Sequence, residues 1–163
     1  MAAPQETASP AANVPLGPIS RPIEWLIVYF ERIPHSAIAL LARIVIGITF
    51  WQSGRTKVSG FHVTDSTILL FQEEYKVPLL SPWLAAHMAA TAEHLFPLLL
   101  FAGLASRFSA LALLGMTLVI EIFVYPEFYL VHGLWAVALL TIIARGPGFV
   151  SLDHLIKSWS RTR

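Results

Sequence analysis

The chain reads as an all-α protein, a polytopic membrane four-helix bundle preceded by an N-terminal interfacial helix. Three observations predict this. Of its 163 residues 56% are hydrophobic and only 13% are charged, a balance suited to lipid-facing surfaces rather than to an average soluble domain. Four apolar stretches are long enough, at about 1.5 Å per residue, to cross most or all of a hydrocarbon core about 30 Å thick. Each stretch also carries ionisable residues, and such groups persist within a bilayer when they face a bundle interior, a partner charge or a water-filled cavity.

Residues 1–20 are rich in Ala and Pro, with neither a basic start nor an apolar core, and read as a cytoplasmic tail rather than a signal peptide. Residues 21–34, RPIEWLIVYFERIP, hold an apolar run from Trp25 to Phe30 that is too short to span. Bracketed by Glu24, Glu31 and Arg32, it reads as an amphipathic helix at the headgroup level, where Trp25 and Tyr29 are at home, with a partner-binding helix as the alternative.

The first span is expected at about 36–57. On a 100° helical wheel Arg43, Gly47, Gly54 and Lys57 share a stripe with Phe50 between them, so that stripe faces inward and its glycines admit a close neighbour. Residues 58–80 form a mixed loop in which Ile68, Leu69, Phe71 and Tyr75 allow a short amphipathic helix, either a plain cap on the bundle or a binding lid. The second span, about 82–104, contains His87, Glu93 and His94. A tight turn at Ala105, Ser106 and Arg107 leads to the third span, about 108–125, with Glu121. The fourth, about 128–145, contains His132 and stops at the Arg145, Gly146, Pro147, Gly148 breaker. The four-helix domain extends over 35–157, and residues 158–163 read as a second cytoplasmic tail.

Seven Lys and Arg residues (Arg21, Arg32, Arg107, Arg145, Lys157, Arg161, Arg163) fall on one side and three (Arg55, Lys57, Lys76) on the other. The positive-inside rule then puts both termini in the cytoplasm, in a bacterial inner membrane. A net charge of +1 without a basic cluster argues against nucleic acid as a partner. The absence of Cys excludes disulfides, thiolate metal sites and dithiol exchange by this chain.

Arg43 and Glu93 both fall near the middle of their spans, so they are expected to form a buried ion pair, with His94 adding a hydrogen bond. That pair is either a structural device fixing register or a proton or ligand site. His87, Glu121 and His132 fall in the outer halves of three helices, with Tyr125 nearby. Together with Glu93 and His94 they make a candidate polar interior. The set suits a metal ion with an open position, proton relay, or hydrogen bonds to a quinone head group, and it is also the minimum polar content of a specific bundle. No paired metal-ligand spacing occurs within one helix.

The run Arg43-x3-Gly47 leading to Gly54-x2-Lys57, the acidic second span followed by LLLFAGLASRFSALAL, and the terminal RGPGFVSLDHLI together resemble the DoxX family of small four-helix membrane proteins, over about residues 36–157. The resemblance implies an inner-membrane bundle with family positions at Arg43, Gly47, Gly54, Lys57, Glu93, Gly103 and Asp153. The family's namesake resembles part of a thiosulfate:quinone oxidoreductase, which implies membrane lipids around the chain and a soluble oxidoreductase or a second copy as partner. His87, His94, Glu121 and His132 lie outside the general pattern. They are similar to histidine-bearing relatives beside systems that make metal-binding peptides, so a metal-handling partner and a metal such as copper at the outer face form the alternative.

Overall fold

The computed structural model describes residues 20–161. Most of the tail expected over 1–20 lies outside them, as do residues 162 and 163. Residues 20–33 belong to a separate compact unit. In it α1 (Ser20–Glu31) exposes Ile23, Trp25, Leu26 and Phe30, with Trp25 and Tyr29 stacked at 5.6 Å.

The second unit begins at Pro34 and contains four helices long and apolar enough to cross a membrane. They are α2 (His35–Lys57), α4 (Pro82–Ala102), α5 (Ser106–Val119) with its extension to Val124, and α6 (Tyr129–Arg145) entered through a 3-10 turn at Pro126–Phe128. Helix α2 packs on α4 and α6, and α5 packs on the same two, which closes a four-membered ring. Its core is Ile46, Phe50, Leu100, Leu113, Leu139 and Ile142. Polarity is inverted relative to a soluble bundle: Arg43 and Glu93 are each 1% exposed, whereas Leu41 and Leu134 are 64% and 71% exposed. An apolar exterior around buried charges is the arrangement a lipid solvent selects.

Local chemistry sets the helix ends. Pro82 occupies the first turn of α4, where no partner for an N–H is needed, and Ser81 Oγ accepts from Leu84 N–H at 3.3 Å. Gly103 (φ +67°) closes α4 in the left-handed region, its carbonyl accepting from Asp153 N–H at 2.9 Å. The last carbonyl of α2, on Lys57, accepts from Thr64 N–H at 3.1 Å and Thr67 Oγ1 at 3.0 Å.

Helices α2 and α4 do not lie level. Residues 43, 47 and 54 sit opposite 100, 101 and 93–94, so the helix centres are offset by roughly 13 Å at 1.5 Å per residue. Above the C-terminus of α2 the gap is filled by a two-stranded hairpin, β1 (Val58–Ser59) and β2 (His62–Val63), by α3 (Asp65–Leu70) and by a widened turn at Phe71–Tyr75. This segment packs Phe71 on Ala85, Ala86 and Ala89 of α4, and so caps the bundle. At the other end residues 146–151 cross the projecting start of α2: Phe149 N–H donates to Ser36 Oγ at 3.0 Å, and a Cβ on Gly148 would come within 2.7 Å of Ser36 Cα. Beyond them α7 (Leu152–Arg161) begins within the expected domain and continues through 158–161, the first residues of the expected tail, because Leu155, Ile156 and Trp159 recur at helical spacing on one apolar face.

A Cβ at Gly103 would meet both the Arg43 guanidinium and Ser151, in a backbone region that disfavours side chains. Gly103→Ala is expected to cost about 1–3 kcal/mol, read as a lower midpoint in detergent melts. Gly115→Ala, in open space within α5, is expected to leave the midpoint unchanged or slightly higher.

Candidate functional site

The offset decides which buried charges meet. Glu93, 1% exposed, lies 2.8 Å from Lys57 Nζ through Oε2 and 3.1 Å through Oε1. Ser53 completes the group, its Oγ accepting from Lys57 Nζ at 3.0 Å and donating to Glu93 Oε1 at 3.2 Å. Gly54 permits the approach, since a Cβ there would come within 3.0 Å of Glu93 Cβ. Pro97 has no N–H to give the Glu93 carbonyl, so the α4 ladder is interrupted at the residue that carries the charge.

The expected Arg43–Glu93 pair is therefore not formed. Arg43 lies about seven residues further along α4, roughly 10 Å away at 1.5 Å per residue. Its Nη1 donates to the Leu100 carbonyl at 3.2 Å and its Nη2 to the Val150 carbonyl. Asp153 is the carboxylate nearest in electrostatic terms, although its oxygens are engaged by the N–H groups of Ala105 (2.8 Å) and Ser106 (2.9 Å) at the start of α5. Arg43 thus ties the first span to the segment after the last.

Between the helices and the cap lies a cavity of about 430 Å³. Its walls are mostly apolar, with Phe50, Phe71, Met88, Phe96, Met116 and Trp135 among them. Ala85, Ala89, Ala92 and Ala112 leave the space that larger residues would fill. The polar wall is short: Thr49, Ser53, Lys57 and Glu93 on one side, Tyr75, Tyr125 and His132 on another. Few polar groups converging in an apolar pocket is the usual composition of a small-molecule site.

Of the sequence candidates, Glu93 and His132 line this cavity and Glu121 supports it. His132 Nδ1 lies 2.5 Å from Glu121 Oε2, so the imidazole donates to the carboxylate and its tautomer is set. Glu121 occupies a second widened turn, Ile120–Val124, where Tyr125 N–H reaches the Ile120 carbonyl at 2.8 Å. The two widened turns bring the Tyr75 and Tyr125 rings to 5.6 Å at the cavity mouth. Tyr125 donates to Glu74 Oε1 at 2.8 Å, with the Tyr75 hydroxyl 3.5 Å away. That phenol is held well above its ordinary pKa, first by the Tyr75 bond, then by burial and by Glu74, and stays a protonated donor.

The other two histidines lie elsewhere. His87 Nδ1 donates to the Trp83 carbonyl at 2.8 Å and its ring stacks on Trp83 at 4.0 Å, off the cavity wall. The set His87, Glu121 and His132 does not converge, and among the described residues no three His, Asp or Glu side chains do. His94 bonds the Ala90 carbonyl at 2.6 Å and stands edge-on to Trp51 instead of joining Glu93. The missed members are Lys57, Ser53, Tyr75 and Trp135. Lys57 was legible as part of the Arg43 stripe, and His87 was legible as off the Ala86, Ala90, Glu93, Pro97 stripe.

The family model for DoxX matches residues 38–126. The chain belongs to the DoxX family. DoxX proteins are membrane proteins often linked to redox and quinone-related functions, and this one is a multi-pass member. It is similar to an uncharacterized protein of Haemophilus influenzae, 30% identical over 135 residues, which cover 72% of this chain and 82% of that protein. No solved structure matches. Within the DoxX match, Gly54, Lys57 and Glu93 form the ion-pair seat, Arg43 and Gly103 form the lower contact, and Gly47 seats the Phe101 ring.

Removing one partner of a buried pair strands a charge, at a cost of about 3–5 kcal/mol. Lys57→Met and Glu93→Gln are each expected to lose stability on that scale in denaturant titrations of the solubilised protein. The double variant is expected to be more stable than either; additive losses would show that the two charges do not interact.

Proposed function

We propose that this DoxX protein is the membrane subunit of a redox system and that its cavity receives the ring of a quinone. The cavity carries this reading: an apolar space within the membrane span whose few polar groups stand on two different walls. Quinone carbonyls need hydrogen-bond donors, and Lys57 on one wall and the imidazolium of His132 on another supply them, the hydroxyls of Ser53 and Tyr125 being given to Glu93 and Glu74. Aromatic and Met side chains supply contacts suited to a flat ring. The residues present fit such a ligand.

When bound, a quinone supplies two-electron, two-proton redox chemistry. The chain's part is to hold and protonate. Lys57, fixed by Glu93 and Ser53, offers a charged donor in a low-dielectric setting, where such a bond is strong. His132, whose Nδ1–H is held by Glu121, donates from Nε2 as the imidazolium, a charge Glu121 steadies, and giving that proton to the ligand leaves the neutral Nδ1–H tautomer. Electrons come from a soluble partner, in keeping with a chain that has no Cys to hold a cluster. The same reading puts the protein in a bacterial inner membrane with both termini cytoplasmic, on the seven-to-three bias of Lys and Arg.

Trp135 stands on the cavity wall and reports occupancy. Titration of the purified protein with a short-chain ubiquinone is expected to quench tryptophan fluorescence saturably. His132→Ala is expected to weaken binding about tenfold, the worth of one good hydrogen bond, and Ala89→Phe to abolish saturation. Unsaturable quenching, equal in all three proteins, would overturn the reading. Reporters fused at either end are both expected to be cytoplasmic; a periplasmic signal from one of them counts against the orientation.

A further inference from the structure

A second pocket, of about 770 Å³, opens at the opposite end of the bundle from the cap. It lies between the start of α2, the α4–α5 turn, the end of α6 and the first turns of α7. All these elements end at one face of the bundle, so the pocket lies at interfacial depth. Its charge is one-sided: Arg107, Arg145 and Lys157 line it, and Asp153 is the sole carboxylate among the described lining residues. Both Asp153 oxygens are already taken by the N–H groups of Ala105 and Ser106. His35 is also spent, its Nε2 donating to the Gly146 carbonyl at 3.2 Å. Three cations therefore face one cavity, and the single carboxylate there is committed to capping α5.

We propose that this pocket holds the phosphate of an anionic phospholipid, gripped by Arg107, Arg145 and Lys157. Guanidinium forks match phosphate oxygens in pairs, and a lysine on the far wall adds a point charge. Basic pockets between membrane helices at the headgroup level bind acidic lipid heads for this reason. The surroundings favour a lipid over a soluble anion. Phe149 (71% exposed), Val150 (64%), Leu155 (60%) and Ile156 (55%) flank the pocket and offer apolar surface to acyl chains. Helix α7 combines both functions, Lys157 lining the pocket while Leu155, Ile156 and Trp159 remain exposed. This site stands apart from the cavity under the cap and does not depend on what that cavity binds.

The test uses the full chain in uncharged detergent, titrated with dioleoyl phosphatidylglycerol, dioleoyl phosphatidylcholine or inorganic phosphate, with bound lipid measured by native mass spectrometry and stability by thermal melting. Phosphatidylglycerol is expected to bind and raise the melting midpoint, and the other two to do neither. Each cation removed is expected to weaken phosphatidylglycerol binding about fivefold, so Lys157→Gln loses about that factor and Arg107→Gln with Arg145→Gln loses more. Arg107→Lys with Arg145→Lys, which keeps the charge but loses the paired forks, is expected to bind more weakly than the unaltered protein and more tightly than the double Gln variant, and Arg55→Gln at the other end of the bundle is expected to retain the binding. Equal binding of phosphatidylcholine, or phosphatidylglycerol binding undiminished in Lys157→Gln and the double Gln variant, would overturn the site. Stabilisation by inorganic phosphate matching that by lipid would overturn the lipid assignment.

Discussion

An ammonium group can remain within an apolar bundle only beside an anion, and that requirement on Lys57 holds α2 and α4 in register. Lys57 is at the very end of α2, whereas Glu93 lies eleven residues into α4. Bringing them to 2.8 Å displaces one helix along the other by two to three turns. Gly47 and Gly54 are the seats on which the displaced helices rest, with the Phe101 ring over one and Glu93 and His94 over the other. The two ends of the fold follow from this displacement. Where α4 projects past α2, the hairpin and α3 cover it; where α2 projects past α4, residues 146–151 do.

The cavity arises from the same geometry. The cap bridges a step in the bundle rather than sealing a flat end, and the alanines of α4 and α5 beneath it leave room instead of filling it. Thr49, Ser53, Lys57 and His132 reach that space from regular helix, and other polar groups reach it where a helix has been locally altered. Glu93 sits where Pro97 interrupts the ladder, while Tyr75 and, behind His132, Glu121 sit in widened turns, which are often found at functional sites.

The four spans, their order and the inward stripe of α2 were legible because hydropathy and a 3.6-residue period are local properties of a sequence. The partner of Glu93 was not. Assigning depth from the middle of each span assumes level helices, and an axial offset leaves no trace in periodicity. Arg43 and Lys57 share one stripe and are equally good candidates until the offset is known. His87 is a different case, since its angular distance from Glu93 on the α4 wheel already separates it from the buried face. The widened turns were illegible because they depend on tertiary packing at Tyr75 and Tyr125. Helix α7 was partly legible, its apolar residues recurring at helical spacing up to Trp159, past the expected domain boundary at residue 157.

Arg43 introduces a timing constraint. Its Val150 acceptor lies 107 residues later in the chain, and at about 5–20 residues per second that stretch takes roughly 5 to 20 s to synthesise. Throughout that interval the guanidinium, eight residues from the start of α2, lacks its final partner and must reach toward the interface along its own side chain. Assembly therefore finishes from the carboxyl end, and the residues after the last span act as the closing clasp on the first.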